Sequence, residues 1–535
     1  MSTEWRSPKF KALGLKVFAV LGCAMLAACS NNDDNDEGAE TQEPPPPPPA
    51  PPPPTTGTLI ENPPPRLASF SIDALIAAVN VNSTAGEVLD LIVDPECGVD
   101  VHQIRYNTLD PAQQPTISSG ALMIPTGTNV ACQGARPIVV YTHGTSAEKS
   151  YNIADLSNSE NAEGLLIAAA FAAQGYIVVA PNYAGFDTST LPYHPYLHAE
   201  QQAKDTFDAL TAARSALPTS TAPTITDNGQ LFITGYSQGG HVAMATHRLM
   251  QTNGAAVTAS APMSGPYALA AFGDAIFQGQ VIRSAPLLLS WTMTTYQRAY
   301  GNIYASPTDA FDPRYATGID ALLPTTGTRS QLYDQGRLPR DQLFSSTPPD
   351  PAYAPYTPAT TPADLAHVFA QGFGPDALIT NPYRLGYLQD SLAQPDGGFP
   401  AVTDGRPAAA PTHPLRIALK ANDLRNWSPT APVMLCAGHD DPTVLYLNTQ
   451  LMQQYWTGAG VTAQIRVLDV DDDPSIDDPD AGLKLGFNTA KESVALAAVA
   501  GGATDGGAAA VADAYHSSLV PPFCLAAVQS YFDSF

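Results

Sequence analysis

Charged residues are scarce in this chain of 535, at 14% against a typical ~25%. Basic residues are scarcer still: 25 lysines and arginines face 50 aspartates and glutamates, a formal net charge of −25. Such a chain repels phosphate backbones, which argues against a nucleic-acid partner. Long hydrophobic runs are missing too. The apolar stretch at 17–28 (VFAVLGCAMLAA) is shorter than the ~20 residues that cross a bilayer, so a polytopic membrane protein is disfavoured. No repeat of 20 to 50 residues recurs, which disfavours solenoids and propellers. Cysteines number only 6. What is present is an apolar fraction of 44%, enough for a full core, and 51 prolines, about twice the usual ~5%.

Arg6, Lys9, Lys11 and Lys16 precede the 17–28 run, the order of a secretory signal. The run ends in Leu26-Ala27-Ala28-Cys29, which resembles the bacterial lipobox. The resemblance implies cleavage before Cys29, its acylation, and, with Ser30 following, an outer-membrane address. An ordinary secretory signal with a chance cysteine is the alternative. Residues 29–65 are acidic, then nearly pure proline, and predict an extended tether at about 3.1 Å per residue.

Short apolar runs at 137–141 (PIVVY), 176–180 (YIVVA) and 231–234 (LFIT) suit strands buried on both faces. Helical patterns at 164–174 and 199–217 alternate with them, the first stopping at Gly175. The alternation predicts an α/β fold with a mostly parallel central sheet flanked by helices. The third strand runs into Gly235-Tyr236-Ser237-Gln238-Gly239, and a helix leaves it. That is the G-x-S-x-G elbow, which exposes a nucleophilic serine on a sharp turn at a strand end and aims a helix N-terminus at developing negative charge.

A serine hydroxyl needs a base, and on such an elbow the chain order is Ser, acid, His. The later strand 432–436 leads into Gly438-His439-Asp440-Asp441-Pro442-Thr443-Val444, where the spacing selects Asp441, with Asp440 as runner-up. A single histidine, His516, follows, so elimination names the base. His439 reads as a loop histidine, His241 and His247 as structural, and His143 as a brace. One oxyanion donor is the N–H after the nucleophile, Gln238. The other comes from His143-Gly144-Thr145: Thr145, with Gly144 as alternative. A strand at 463–470 and a helix at 521–532 complete the sheet.

With YTHGT (141–145), QGYIVVAPNYAGF (174–186), GYSQGG (235–240), GHDDPTV (438–444) and Tyr515-His516, the chain resembles the α/β-hydrolase superfamily, and within it the secretory lipase group that includes yeast acid lipases. The resemblance implies hydrolysis of acylglycerols and other carboxylic esters with neither metal nor cofactor. Asn182 departs from the aspartate that many relatives carry there.

Ser237 and Asp441 lie too far apart for two strand–helix units alone. Residues 266–430 therefore predict a mainly helical cap between core segments 66–265 and 431–535, with helices at 361–373 and 376–393. Its apolar stretch at 275–300 would wall an acyl pocket; a second core layer or a dimer surface is the alternative. The length alone, at ~150 residues per domain, suggests three or four domains, but one core with one cap is the better count. The aspartate-rich 469–480 reads as a solvated acidic loop, with calcium binding as the lesser reading. Residues 496–514, rich in alanine and glycine, read as flexible. Cys97, Cys132, Cys436 and Cys524 would survive signal removal and lipidation. They allow three pairings; Cys97 with Cys132 and Cys436 with Cys524 join neighbouring elements and are expected.

The reading that results is a serine esterase or lipase tethered to the bacterial envelope through Cys29, its partners an ester or lipid substrate and the membrane. Oligomeric state is open. A serine peptidase or polyester depolymerase on the same three residues is the alternative.

Overall fold

Among the described residues the apolar runs become the middle of one nine-stranded sheet, whose strands lie in the order Arg66–Phe70, Gly98–Leu109, Pro115–Thr126, Ile177–Pro181, Gly134–Thr142, Ile225–Tyr236, Ala259–Met263, Val433–Ala437 and Ile465–Asp469. A computed structural model describes residues 55–81, 94–158, 162–220 and 225–535. The expected signal, Cys29 and the tether as far as residue 54 lie outside the described residues.

Strands β4 (Gly134–Thr142), β5 (Ile177–Pro181), β6 (Ile225–Tyr236), β7 (Ala259–Met263), β8 (Val433–Ala437) and β9 (Ile465–Asp469) run parallel. Their side chains alternate between two apolar layers. Val139 and Tyr141 face helices Ala162–Ala170 and Val520–Phe532, whereas Ile138 and Val140 face helix Ala199–Ser220. Burial on both faces explains why these strands read as unbroken apolar runs.

Three strands were not foreseen. β1 (Arg66–Phe70), β2 (Gly98–Leu109) and β3 (Pro115–Thr126) extend the sheet antiparallel. Polar residues interleave along β2, so no continuous apolar run marks it. The end of the expected tether also lies on the sheet: Gly57 N–H donates to Asn107 O and Ile60 N–H to Arg105 O. Residues 55–65 therefore run beside β2.

Between β7 and β8 the chain leaves the sheet and builds helices Leu269–Phe277, Ala285–Tyr300, Asn381–Ala393 and Pro414–Ala421 around their own apolar cluster, centred on Trp291, Tyr296, Phe311, Phe344, Phe369 and Tyr387. Two buried arginines cross-link it. Arg416 joins Asp274 and Asp390 at 2.7 Å each, and Arg425 joins Asp396 and Asp423 at 2.8 Å each. The helix expected at 361–373 is only Ala366–Gln371. The one expected at 376–393 starts at Asn381, where Thr380 caps it and Pro382 occupies its first turn.

Residues 496–514 are not the flexible run expected. Alanine carries helix Ala481–Ala500 into its start, the glycines are confined to the turn that follows, and Asp505 caps helix Ala508–Ala514 at its end by accepting Gly507 and Ala509 N–H. Both expected disulfides are present, Cys97–Cys132 and Cys436–Cys524. The second ties β8 to the last helix. Among the described residues no helix is long and apolar enough to cross a membrane.

Candidate active site

Strand β6 ends at Tyr236, Ser237 follows at φ 60°, ψ −121°, and helix Gln238–Thr252 starts at the next residue. A non-glycine residue at positive φ is strained and persists only where its surroundings hold it. Here Ser237 N–H donates to Met263 O of β7 at 3.0 Å. The flanking glycines are required by crowding. A Cβ at 235 would lie 2.3 Å from Thr142 O and one at 239 only 1.8 Å from it. Thr142 itself bolts β4 to the elbow, its hydroxyl donating to Gly239 O at 2.7 Å.

Three elements bring the expected residues together. His516 lies in the single wide turn Tyr515–Leu519, just ahead of the last helix, and its Nε2 is 2.8 Å from Ser237 Oγ. Its Nδ1 is 2.6 Å from Oδ2 of Asp441, which is fully buried after β8. The other oxygen of Asp441 accepts Thr443 and Val444 N–H, at 2.8 and 3.0 Å. A carboxylate held this way can orient an imidazole and balance its cation. Asp440, the runner-up, is not in the contact.

Gly144 N–H donates to Glu163 Oε1 at 3.0 Å, so of the two loop candidates for an oxyanion donor Thr145 is the one left open. Thr145, Ser237, Gln238 and His516 line one cavity of about 720 Å³. Its remaining wall is largely apolar and much of it comes from the insertion: Leu269, Phe272, Ile276, Leu287, Leu288 and Leu289. His143 is buried between Tyr151 and Tyr183, and desolvation lowers its pKa to about 4, so it serves as a neutral brace. Asn182 is also a brace, taking Ile153 N–H and donating to Ser119 and Asn152.

Sequence reasoning missed three residues. Tyr236 Oη donates to His516 O at 2.7 Å, and Tyr515 Oη donates to Asp471 at 2.6 Å while accepting Asp440 N–H at 3.1 Å. Their one sequence signal is adjacency to Ser237 and His516. Glu163 had none: its raised pKa, caused by burial, and its bonds from Tyr141 Oη and Gly144 N–H arise from tertiary packing.

Among the described residues one group has donor atoms close enough to share a metal ion: His439, Asp440 and Asp471. Its members already have protein partners. His439 Nδ1 lies 3.0 Å from Asp469, and Asp471 takes both Lys491 Nζ and Tyr515 Oη. Protein cations likewise meet the acidic segment that was expected to be solvated, with Arg466 on Asp480 at 2.5 Å and Lys484 on Asp478 at 2.8 Å.

The parallel sheet, the elbow and the Ser–His–Asp contact are those of an α/β-hydrolase fold, and solved structures agree. The rice cell wall degrading esterase LipA from Xanthomonas oryzae, in a ligand-bound form, superposes with a TM-score of 0.63 at 24% identity, covering 90% of this chain and 100% of that one. A second LipA structure gives 0.60 at 26% identity over 78% of this chain and 91% of that one. A putative hydrolase from Legionella pneumophila gives 0.56 at 20% identity over 77% and 91%. No family model and no curated protein matches the chain.

Proposed function

We propose that this protein is a serine hydrolase of carboxylic esters. The observation that carries the reading is the unbroken line Ser237 Oγ, His516 Nε2, His516 Nδ1, Asp441 Oδ2, with steps of 2.8 and 2.6 Å, opening on an apolar cavity. Ser237 attacks the ester carbonyl while His516 Nε2 takes its proton. The oxyanion is met by the N–H groups of Gln238 and Thr145. Collapse expels the alcohol, which takes the proton from His516, and leaves an acyl-enzyme. Water, deprotonated by the same nitrogen, then releases the acid. Asp441 keeps the proton of His516 on Nδ1 and stabilises the imidazolium through both steps. No metal or cofactor enters.

The apolar wall contributed by residues 266–430 supports a lid-like cap that receives the acyl chain and excludes water. LipA, the neighbour named above, is itself an esterase. The lipobox-like Leu26-Ala27-Ala28-Cys29 and the proline-rich run after it support an exported enzyme held at the bacterial envelope, on the outer membrane, by acylated Cys29.

A panel of p-nitrophenyl esters and matching anilides tests the assignment. Turnover of esters well above anilides, abolished in Ser237→Ala, is expected. Anilide cleavage at comparable rates would move the assignment to a peptidase.

A further inference from the structure

Two residues outside the proposed catalytic line grip both proposed oxyanion donors from their side-chain ends. His194 is fully buried and its Nδ1 lies 3.0 Å from Ala184 O, an acceptor only, so Nδ1 carries the ring proton. Nε2 is then a bare acceptor, and Gln238 Nε2 donates to it at 2.7 Å, with Gln202 Nε2 at 3.3 Å. Desolvation, with a pKa of about 3, keeps the ring in that neutral form across the working range. Gln238 Oε1 is buried without a hydrogen-bond partner, so His194 is the polar anchor of that amide. Two residues further on, Tyr196 Oη lies 2.9 Å from Thr145 Oγ1.

The same turn is fastened to the insertion. Tyr196 stacks on Trp291 at 4.7 Å and 12°, Thr295 Oγ1 donates to His194 O at 3.2 Å, and Tyr296 Oη donates to Leu197 O at 3.0 Å. Trp291, Thr295 and Tyr296 all belong to helix Ala285–Tyr300, whose Leu287, Leu288 and Leu289 wall the cavity. One turn thus touches Gln238, Thr145 and the cap helix together.

We propose that His194 and Tyr196 are positioning residues: they form a clasp that sets the spacing of the Gln238 and Thr145 N–H donors and transmits the seating of the cap helix to the oxyanion hole. The clasp rests on the esterase reading above. Tyr196 also lines the cavity, but the clasp acts through the two N–H donors, so its effect falls chiefly on transition-state stabilisation.

Tyr196→Phe deletes the hydroxyl and keeps the ring on Trp291. Its kcat on p-nitrophenyl esters is expected to fall about tenfold, less than the 10²–10³-fold typical of losing a whole donor, with KM within about twofold of wild type. Affinity for a boronic acid, which forms a tetrahedral adduct on Ser237, should fall by the same factor. Thr145→Val should match it, Thr145→Ser, which keeps the hydroxyl, should lose less kcat than Thr145→Val, and the Tyr196→Phe/Thr145→Val double variant should be no worse than either single, because both remove one contact. If Tyr196→Phe does not fold, the Thr145 pair carries the test. Wild-type kcat and boronate affinity in Tyr196→Phe or Thr145→Val overturn the clasp. If Ser237→Ala is inactive while these variants are unaffected, the clasp alone fails; if Ser237→Ala remains active, the esterase reading fails and the clasp with it.

Discussion

Asp441, and not its neighbour Asp440, meets His516: Asp441 Oδ2 lies 2.6 Å from His516 Nδ1, and Asp440 turns towards His439 at 3.9 Å. The two aspartates are one residue apart and differ in burial, Asp441 closed off and Asp440 half exposed. Asp441→Asn should therefore lower kcat steeply, on the order of 10³–10⁴-fold, because an amide stabilises the wrong tautomer of His516. Asp440→Asn should leave kcat within a fewfold of wild type. Steady-state kinetics on a short-chain ester distinguishes the two, and equal losses would contradict the assignment of roles.

The elbow glycines give a second expectation. A methyl at 239 would meet Thr142 O at 1.8 Å, backbone that cannot yield without shifting β4 or the serine. Gly239→Ala should cost about 3 kcal/mol or more, at the upper end for overpacking, and displace Ser237. Urea unfolding read by circular dichroism checks the first effect and ester turnover the second.

Cys436–Cys524 joins the strand that leads to Asp441 to the helix that follows His516, across a sequence separation of 88. Replacing both cysteines by alanine should destabilise the fold by about 2–4 kcal/mol, as for other long disulfide loops. Calorimetry of the double variant against wild type, with Cys97–Cys132 intact in both, reads this bond alone. An unchanged melting temperature would mean that the bond carries no stability.

A pH-dependent contribution follows from His439. The hydrogen bond and charge of Asp469 raise its pKa to about 9, against some desolvation. Its folded value lies above the unfolded ~6.5, so the native state holds the proton more tightly. The pair's contribution is complete below about pH 6.5 and is lost as pH rises through 9. It is modest, since the imidazole is 42% exposed. The difference in melting temperature between wild type and His439→Gln should shrink between pH 6.5 and 9.5; a constant difference would contradict the linkage.

Narrowing the cavity should change substrate choice. Leu288 lines it from the cap helix. Leu288→Trp should reduce kcat/KM for long acyl chains relative to butyrate by at least about tenfold, on the scale by which pocket volume discriminates. An acyl-length series reads this directly, and an unchanged profile would move the acyl chain elsewhere in the cavity.

These expectations draw unequally on the sequence. The elbow was legible because glycine on both sides of a serine, between a buried strand and a helix, leaves few other conformations. His516 was legible because one histidine follows Asp441. Strand β2 was not, because polar residues alternate along it and leave no apolar run; β3 holds a short buried run, Ala121 to Pro125, that the reading passed over. Glu163, His194 and Tyr196 were invisible for a different reason. Their partners, Gly144, Gln238 and Thr145, are distant in sequence, and only the folded sheet brings the segments after β4, β5 and β6 to one point. Alanine misled in the other direction: a run that read as flexible is helix with one capped turn.

If Ser237 is the nucleophile, a fluorophosphonate added to the folded protein should give a single adduct by intact mass, mapped to the peptide holding Ser237, lost in Ser237→Ala and strongly slowed in His516→Ala. An adduct that persists in Ser237→Ala, or wild-type protein that stays unlabelled while folded, would contradict it.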